Sequence, residues 1–231
     1  ANDAQARKEK EVIIEERHQR IDNQPASKFQ EQMMSALFVN HPYGIPVIGW
    51  LHEMQELTRE DALSNYATWY APNNAILIVS GDVTAAELKP LAEKYYGGIK
   101  QSVLPKRERT RPAPIVAETR MIMSDPRVGQ PVMTKTFRAP RGSDALEMLA
   151  EILGGSTTSR LYKTLVVDEK LAVSAGAGYE AISLNDTTFS IYASPTPGTT
   201  VMQLETAIDR EVAKLVDKGI TLEELNDARN R

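Results

Sequence analysis

Apolar positions along the chain recur at two spacings, and the switches between them mark out helices and short strands. Residues 4–22 alternate charged and apolar positions at helical spacing and predict an amphipathic helix. Residues 28–38 predict a second helix, followed by a turn at His41-Pro42-Tyr43-Gly44. Thr58-Arg59-Glu60-Asp61 has the form of a capping box, opening a helix that must end before Pro72. The apolar run 75–80, closed by Gly81-Asp82, reads as a buried strand. Thr84 and Glu87 form a second capping box for a helix reaching about Tyr96 and stopping at Gly97-Gly98.

The stretch from Ile99 to Val116 has no periodicity and carries Pro105, Pro112, Pro114 and the basic run Lys106-Arg107-Glu108-Arg109. It reads as a solvated interdomain linker, placed at 101–114, with contact of the basic run to a phosphate or an acidic partner as the alternative. Beyond it, strands are expected at 119–124, 132–138, 171–179 and 187–193. Helices are expected at 143–153, 159–169 and 199–218, with a last one capped by Thr221 and Glu224. Strands come in runs separated by helices, which favours an α+β layer over a doubly wound sheet.

Composition narrows the function classes. The 231 residues carry 27 Lys and Arg against 31 Asp and Glu, a net charge of −4. That balance argues against a dedicated nucleic-acid binder, which carries a basic excess. No run approaches the roughly 18 apolar residues of a membrane span. The absence of cysteine removes disulfide scaffolds, thiol catalysis and Cys-ligated zinc. The chain opens on ANDAQARKEKEVIIEE without Met and closes on TLEELNDARNR, a pattern expected of a piece of a longer protein.

The first helix holds the best chemical clue. At about 100° per residue, Val12 and Ile13 define one apolar direction, and Glu9 and Glu16 lie within about 20° of its middle. Glu11 and Glu15 point away. Two carboxylates aimed at a core are costly unless they are paired, hydrogen-bonded or metal-bound. Alternatively, Ile14 and Ile21 form the core stripe and both carboxylates face water. Helical spacing alone leaves both readings open.

The three histidines supply no zinc motif. His18 lies nearly opposite Glu16 on the helix, His41 sits in the turn, and His52 lies in an apolar segment. No nucleophile elbow or phosphate-binding loop is present. The stretch from Gly154 through Ser156 to Arg160 reads as a helix–turn–helix joint with hydroxyl caps, with an anion-binding loop as the sharper alternative.

Four stretches taken together resemble the pitrilysin/insulinase family of zinc metallopeptidases, whose inverted motif is H-x-x-E-H. They are Glu9 to Glu16; His41 to Gly49 with Leu57 to Asp61; Tyr70 to Ala75 with the strand and Gly81-Asp82-Val83; and Leu153 to Tyr162 with Leu171-Ala172-Val173. They occur in the family's order and span nearly the whole chain.

The resemblance implies an α+β fold of two related domains, each a mixed or antiparallel sheet packed with helices. The first domain, 1–100, would be truncated at its N-terminus, and the second, 115–231, at its C-terminus. It implies zinc as cofactor, with Glu16 as the downstream metal ligand and Glu9 as an outer supporting carboxylate. Glu15 is the alternative in register. No H-x-x-E-H occurs in these 231 residues, so the two histidine ligands and the general base are expected upstream. The piece itself is then expected to bind zinc weakly or not at all and to be inactive alone.

The resemblance further implies a peptide or small-protein substrate and a second homologous half or subunit. Where partner halves of the family often carry Arg and Tyr, this chain has Val166 and Val173, which fits a zinc-bearing half. A non-catalytic scaffold or substrate-gripping subunit of the same family is the alternative. A domain lacking strands exposes apolar surface and a sheet edge, so the piece is expected to form a homodimer or to fill the gap by swapping. A bacterial periplasmic location is expected from exported relatives.

Overall fold

The computed structural model describes residues 2–230. The chain divides into two compact units, Ala1–Met121 and Ile122–Arg231.

The first unit is helical throughout its regular elements. It contains α1 (Asp3–Arg17), α2 (Pro25–Leu37), α3 (Leu51–Glu56), α4 (Arg59–Trp69) and α5 (Ala85–Tyr96). Their ends are set by local side chains. Asn2 and Gln5 cap α1, Thr58 and Asp61 cap α4, and Thr84 and Glu87 cap α5, each as a reciprocal pair that satisfies two orphan backbone donors. The first predicted helix thus starts where its cap lies and runs on through a π-helical turn, His18–Asp22. Helix α3 was not legible from periodicity, because six residues hold less than two full turns.

The predicted strand at 75–80 is not one here. The segment has no regular structure and joins no ladder among the described residues, and Ile76 and Ile78 are 88% and 84% exposed. Residues 119–124 likewise form no strand. A strand is defined by its neighbour, and the first unit offers none among the described residues.

What core the first unit has gathers around the turn. Phe38 is buried, and its ring packs with His41 and Tyr43 at centroid distances of 5.6 and 5.5 Å. Arg17 is buried too. It donates to both carboxylate oxygens of Glu31 at 2.9 Å and to the Gly49 carbonyl at 2.8 Å. Gly49 adopts a φ of +87°, a left-handed turn that glycine makes without strain and that presents this carbonyl.

The second unit has a sheet. Strands β1 (Met133–Ala139), β2 (Ala172–Tyr179) and β3 (Thr187–Pro195) form an antiparallel sheet in the order β1-β3-β2. Phe189 opposes Phe137 on one side and Tyr179 on the other. Period-2 burial on β3 turns Phe189, Ile191 and Ala193 inward. The helices are α6 (Asp144–Gly154), α7 (Val201–Lys218) and α8 (Leu222–Arg229). The core joins the inner sheet positions to Leu153, Leu161, Leu165, Leu204 and Ile208.

Two details locate the joints of this unit. Gly154 ends α6 so close to β2 that a side chain there would meet the Ala177 nitrogen at 1.9 Å. The predicted helix 159–169 is mostly a π-helical turn, Tyr162–Asp168, with the Glu169 amide bonded five residues back to the Thr164 carbonyl. These elements together bear out the α+β expectation.

Candidate metal centre

Helix α1 has an inner and an outer side, and the assignment of each residue follows from its anchors. Lys10 donates to the Gln55 and Leu57 carbonyls at 2.8 and 3.1 Å. Arg17 reaches Glu31 and Gly49, and Ile14 and Ile21 are half-buried. Ala6, Lys10, Ile14, Arg17 and Ile21 therefore form the inner stripe, at spacings of four, four, three and four. Ile14 and Ile21 belong to it as one of the two readings of the spacing required. Arg17 was missed as an anchor, although its position three residues after Ile14 placed it on that stripe.

Glu9, Val12, Ile13 and Glu16 occupy a neighbouring face about 110° around the helix. Val12 and Ile13 are 55% and 44% exposed, and Glu9 is exposed. The Glu16 carboxylate is half-exposed and pairs with Arg20 at 2.9 Å one turn on. An exposed pair at this spacing contributes little and yields readily to a stronger partner. Glu15 lies on another side, where Gln19 donates to it at 3.1 Å.

The histidines do not converge on this face. His18 Nδ1 is 2.8 Å from the Asp22 carboxylate. His41 is buried in the turn, its Nδ1 accepting the Tyr43 amide at 3.1 Å, and His52 is exposed on α3. Among the described residues no group of three or more His, Cys, Asp or Glu is placed to hold a metal. The described residues thus do not make up a zinc ligand set, since three protein ligands are usual in catalytic sites.

The other sequence candidates have structural occupations. The Gly154–Arg160 joint is closed by its own hydroxyls: Ser159 Oγ donates to the Ser156 carbonyl at 2.6 Å, and Ser156 and Thr158 hydroxyls lie 3.0 Å apart. Arg160 is committed to Glu224 and to the Gly219 carbonyl, at 2.8 Å each through Nη2. Hydrogen bonds from Arg160 hold the Glu224 carboxyl down to about 2. Val166 packs against the core, while Val173 is half-exposed on β2. No helix of the described residues is long and apolar enough to cross a membrane.

A family model described as "Peptidase M16 inactive domain" matches residues 56–231, leaving α1 and its acidic face outside the match. The zinc protease PqqE of Helicobacter pylori is 27% identical over 225 residues, covering 94% of this chain and 50% of that protein. A crystal structure of a protease from Helicobacter pylori superposes with a TM-score of 0.82 at 25% identity, over 99% of this chain and 56% of that one. The periplasmic protease PqqL of Escherichia coli superposes with a TM-score of 0.78 at 19% identity, over 98% of this chain and 26% of that one. The chain thus spans about half the length of the curated relatives it matches.

Proposed function

The chain belongs to the M16 peptidase family, and from that premise we propose that it is part of a zinc metalloendopeptidase to which it contributes one metal ligand, Glu16. The carrying observation is the outer face of α1. It presents Glu9 and Glu16 two turns apart beside two exposed apolar side chains, on a helix held rigidly by Arg17 and Lys10. An apolar and acidic face left open next to a fixed anchor suits docking of a further element that brings the remaining ligands. The two histidines and the general base would come from a part of the full-length protein outside these 231 residues.

When bound, zinc polarises a scissile carbonyl and lowers the pKa of a water molecule. Glu16 would turn from Arg20 to the metal, while Glu9, one heptad earlier on the same face, would add negative charge and orient the neighbouring ligand. Arg17 fixes the rotation of α1 about its axis and so the direction in which Glu16 points. The substrate would be a peptide or small protein. The second homologous half or subunit would close the site, and the exposed 75–80 segment supports a missing structural neighbour. A periplasmic location is supported by the similarity to PqqL.

A second reading, a non-catalytic scaffold or substrate-gripping subunit, is favoured by the description of the matched family model as an inactive domain. Zinc content and peptidase activity of the full-length protein, beside Glu16→Gln, separate the two. About one zinc per chain with cleavage, both lost in the variant, supports the first reading. A full-length protein that holds no zinc supports the scaffold. Zinc and cleavage that survive Glu16→Gln shift the assignment to Glu15.

A further inference from the structure

Helix α1 is seated on the first unit by polar contacts rather than by an apolar face. Among the described residues of the helix, Arg17 is the one that is buried. Its guanidinium is held from separate sides. Glu31 of α2, with a side chain only 9% exposed, takes both terminal nitrogens at 2.9 Å. The Gly49 carbonyl accepts from Nη1 at 2.8 Å, and the Asp22 carboxylate lies 3.7 Å from Nη2. Arg17 Nε is buried with no hydrogen-bond partner among the described residues, so the hold rests on the two terminal nitrogens.

The geometry resists rolling of the helix. Lys10, the other anchor of α1, sits two turns earlier on the same stripe, about 10 Å along the axis. Its flexible stem ends in a single ammonium group and tolerates a change of angle. The Arg17 guanidinium is planar, and a carboxylate that accepts from both terminal nitrogens fixes its plane. Gly49 adds another direction. Its amide closes a turn on the Pro46 carbonyl at 2.8 Å, and its φ of +87° is part of the turn that presents its own carbonyl to Arg17. A methyl group at Gly49 would meet nothing nearer than Met54 at 3.9 Å, so the left-handed backbone alone calls for glycine there.

Glu16 precedes Arg17 and lies about 100° from it around the helix, so whatever fixes the guanidinium fixes where that carboxylate points. We propose that Glu31 and Gly49 are positioning residues for Glu16, acting through Arg17. Helix α2 and the left-handed turn at Gly49 thereby become part of the site without touching a ligand. The purpose given to Glu16 rests on the metal-ligand reading above; the hold on α1 does not.

The chain has no cysteine, so paired nitroxides at Val12→Cys on α1 and Gln32→Cys on α2, both exposed positions, report the roll of α1 by dipolar electron spin resonance. In the 231-residue chain the distance distribution is expected to be narrow. It should be about twice as wide in Glu31→Gln and in Arg17→Lys, which keeps the charge and loses the planar fork. Gly49→Ala leaves the buried pair whole and is expected to widen the distribution too; it carries the test if either pair variant fails to fold. Zinc release from the full-length protein to a chelator, well below the melting temperature, is expected to be about ten-fold faster in Glu31→Gln. A pair that serves stability alone would lower the melting temperature and leave both the width and the release rate as they were, and that result would overturn the proposal. A full-length protein that holds no zinc would instead remove the metal-ligand reading, while the width of the distribution still decides the hold on α1.

Discussion

The two units are built by different rules. In the first, every regular element is a helix, and the helices that carry capping boxes close their own ends with them. Its apolar run 75–80 stays in solvent. In the second, three strands find one another, and eight side chains of the joint core, among them Leu153, Leu165 and Leu204, fall to 2% exposure or less. A helix satisfies its backbone within its own residues, whereas a strand borrows from a neighbour. The first unit therefore shows helices and, among its described residues, no sheet, whereas the second pairs its three strands with one another.

The contrast can be broken or sharpened by substitution. The largest effect belongs in the second core. Leu204→Ala removes a fully buried side chain and should destabilise the chain by about 3 kcal/mol, read as a fall in denaturant midpoint. If the unfolding midpoint stays put, the second unit is not the stable one.

A smaller effect belongs to the joint between the second unit's helices. Glu224 caps α8 and accepts from Arg160, and its folded pKa of about 2 lies below an unfolded value near 4.5. Its stabilisation is then present above pH 4.5 and lost as pH falls from 4.5 toward 2. Allowing for partial exposure, Glu224→Gln should cost about 1–2 kcal/mol at pH 7 and almost nothing near pH 2. Stability curves of both proteins against pH should therefore converge in acid.

The smallest stability effect belongs to the open segment. Ile78→Ser should change stability by under about 0.5 kcal/mol, since the side chain is already in water. It should nevertheless reduce self-association, which an unpaired apolar strand promotes. Sedimentation at micromolar concentration reads this directly, and a clean monomer of the unsubstituted chain would count against the expectation.

Much of this was legible in the sequence. Thr58, Thr84 and Thr221 announced helix starts, because a capping box is a local contact between residues three apart. The strands of the second unit were also visible, since their alternation records a sheet that is present. The run 75–80 misled because apolar character alone does not supply the neighbour that a ladder needs, and the described residues of the first unit offer none. On α1, Val12 and Ile13 drew attention as an apolar pair, yet the buried stripe runs through Lys10 and Arg17. Charged residues that bury their stems and pair their heads are invisible to a hydrophobic pattern. The contacts of 101–114 were hidden for a related reason: they are amide and cation–π contacts between residues 29 and 38 apart.

The central contrast is tested most directly by amide hydrogen exchange. In the 231-residue chain, residues 75–80 should exchange at nearly unprotected rates while 187–195 are strongly protected. In the full-length protein, 75–80 should become protected as the sheet of the first unit is completed. Strong protection of 75–80 in the chain alone would contradict the account, because it would mean that the first unit already holds the neighbour this structure lacks.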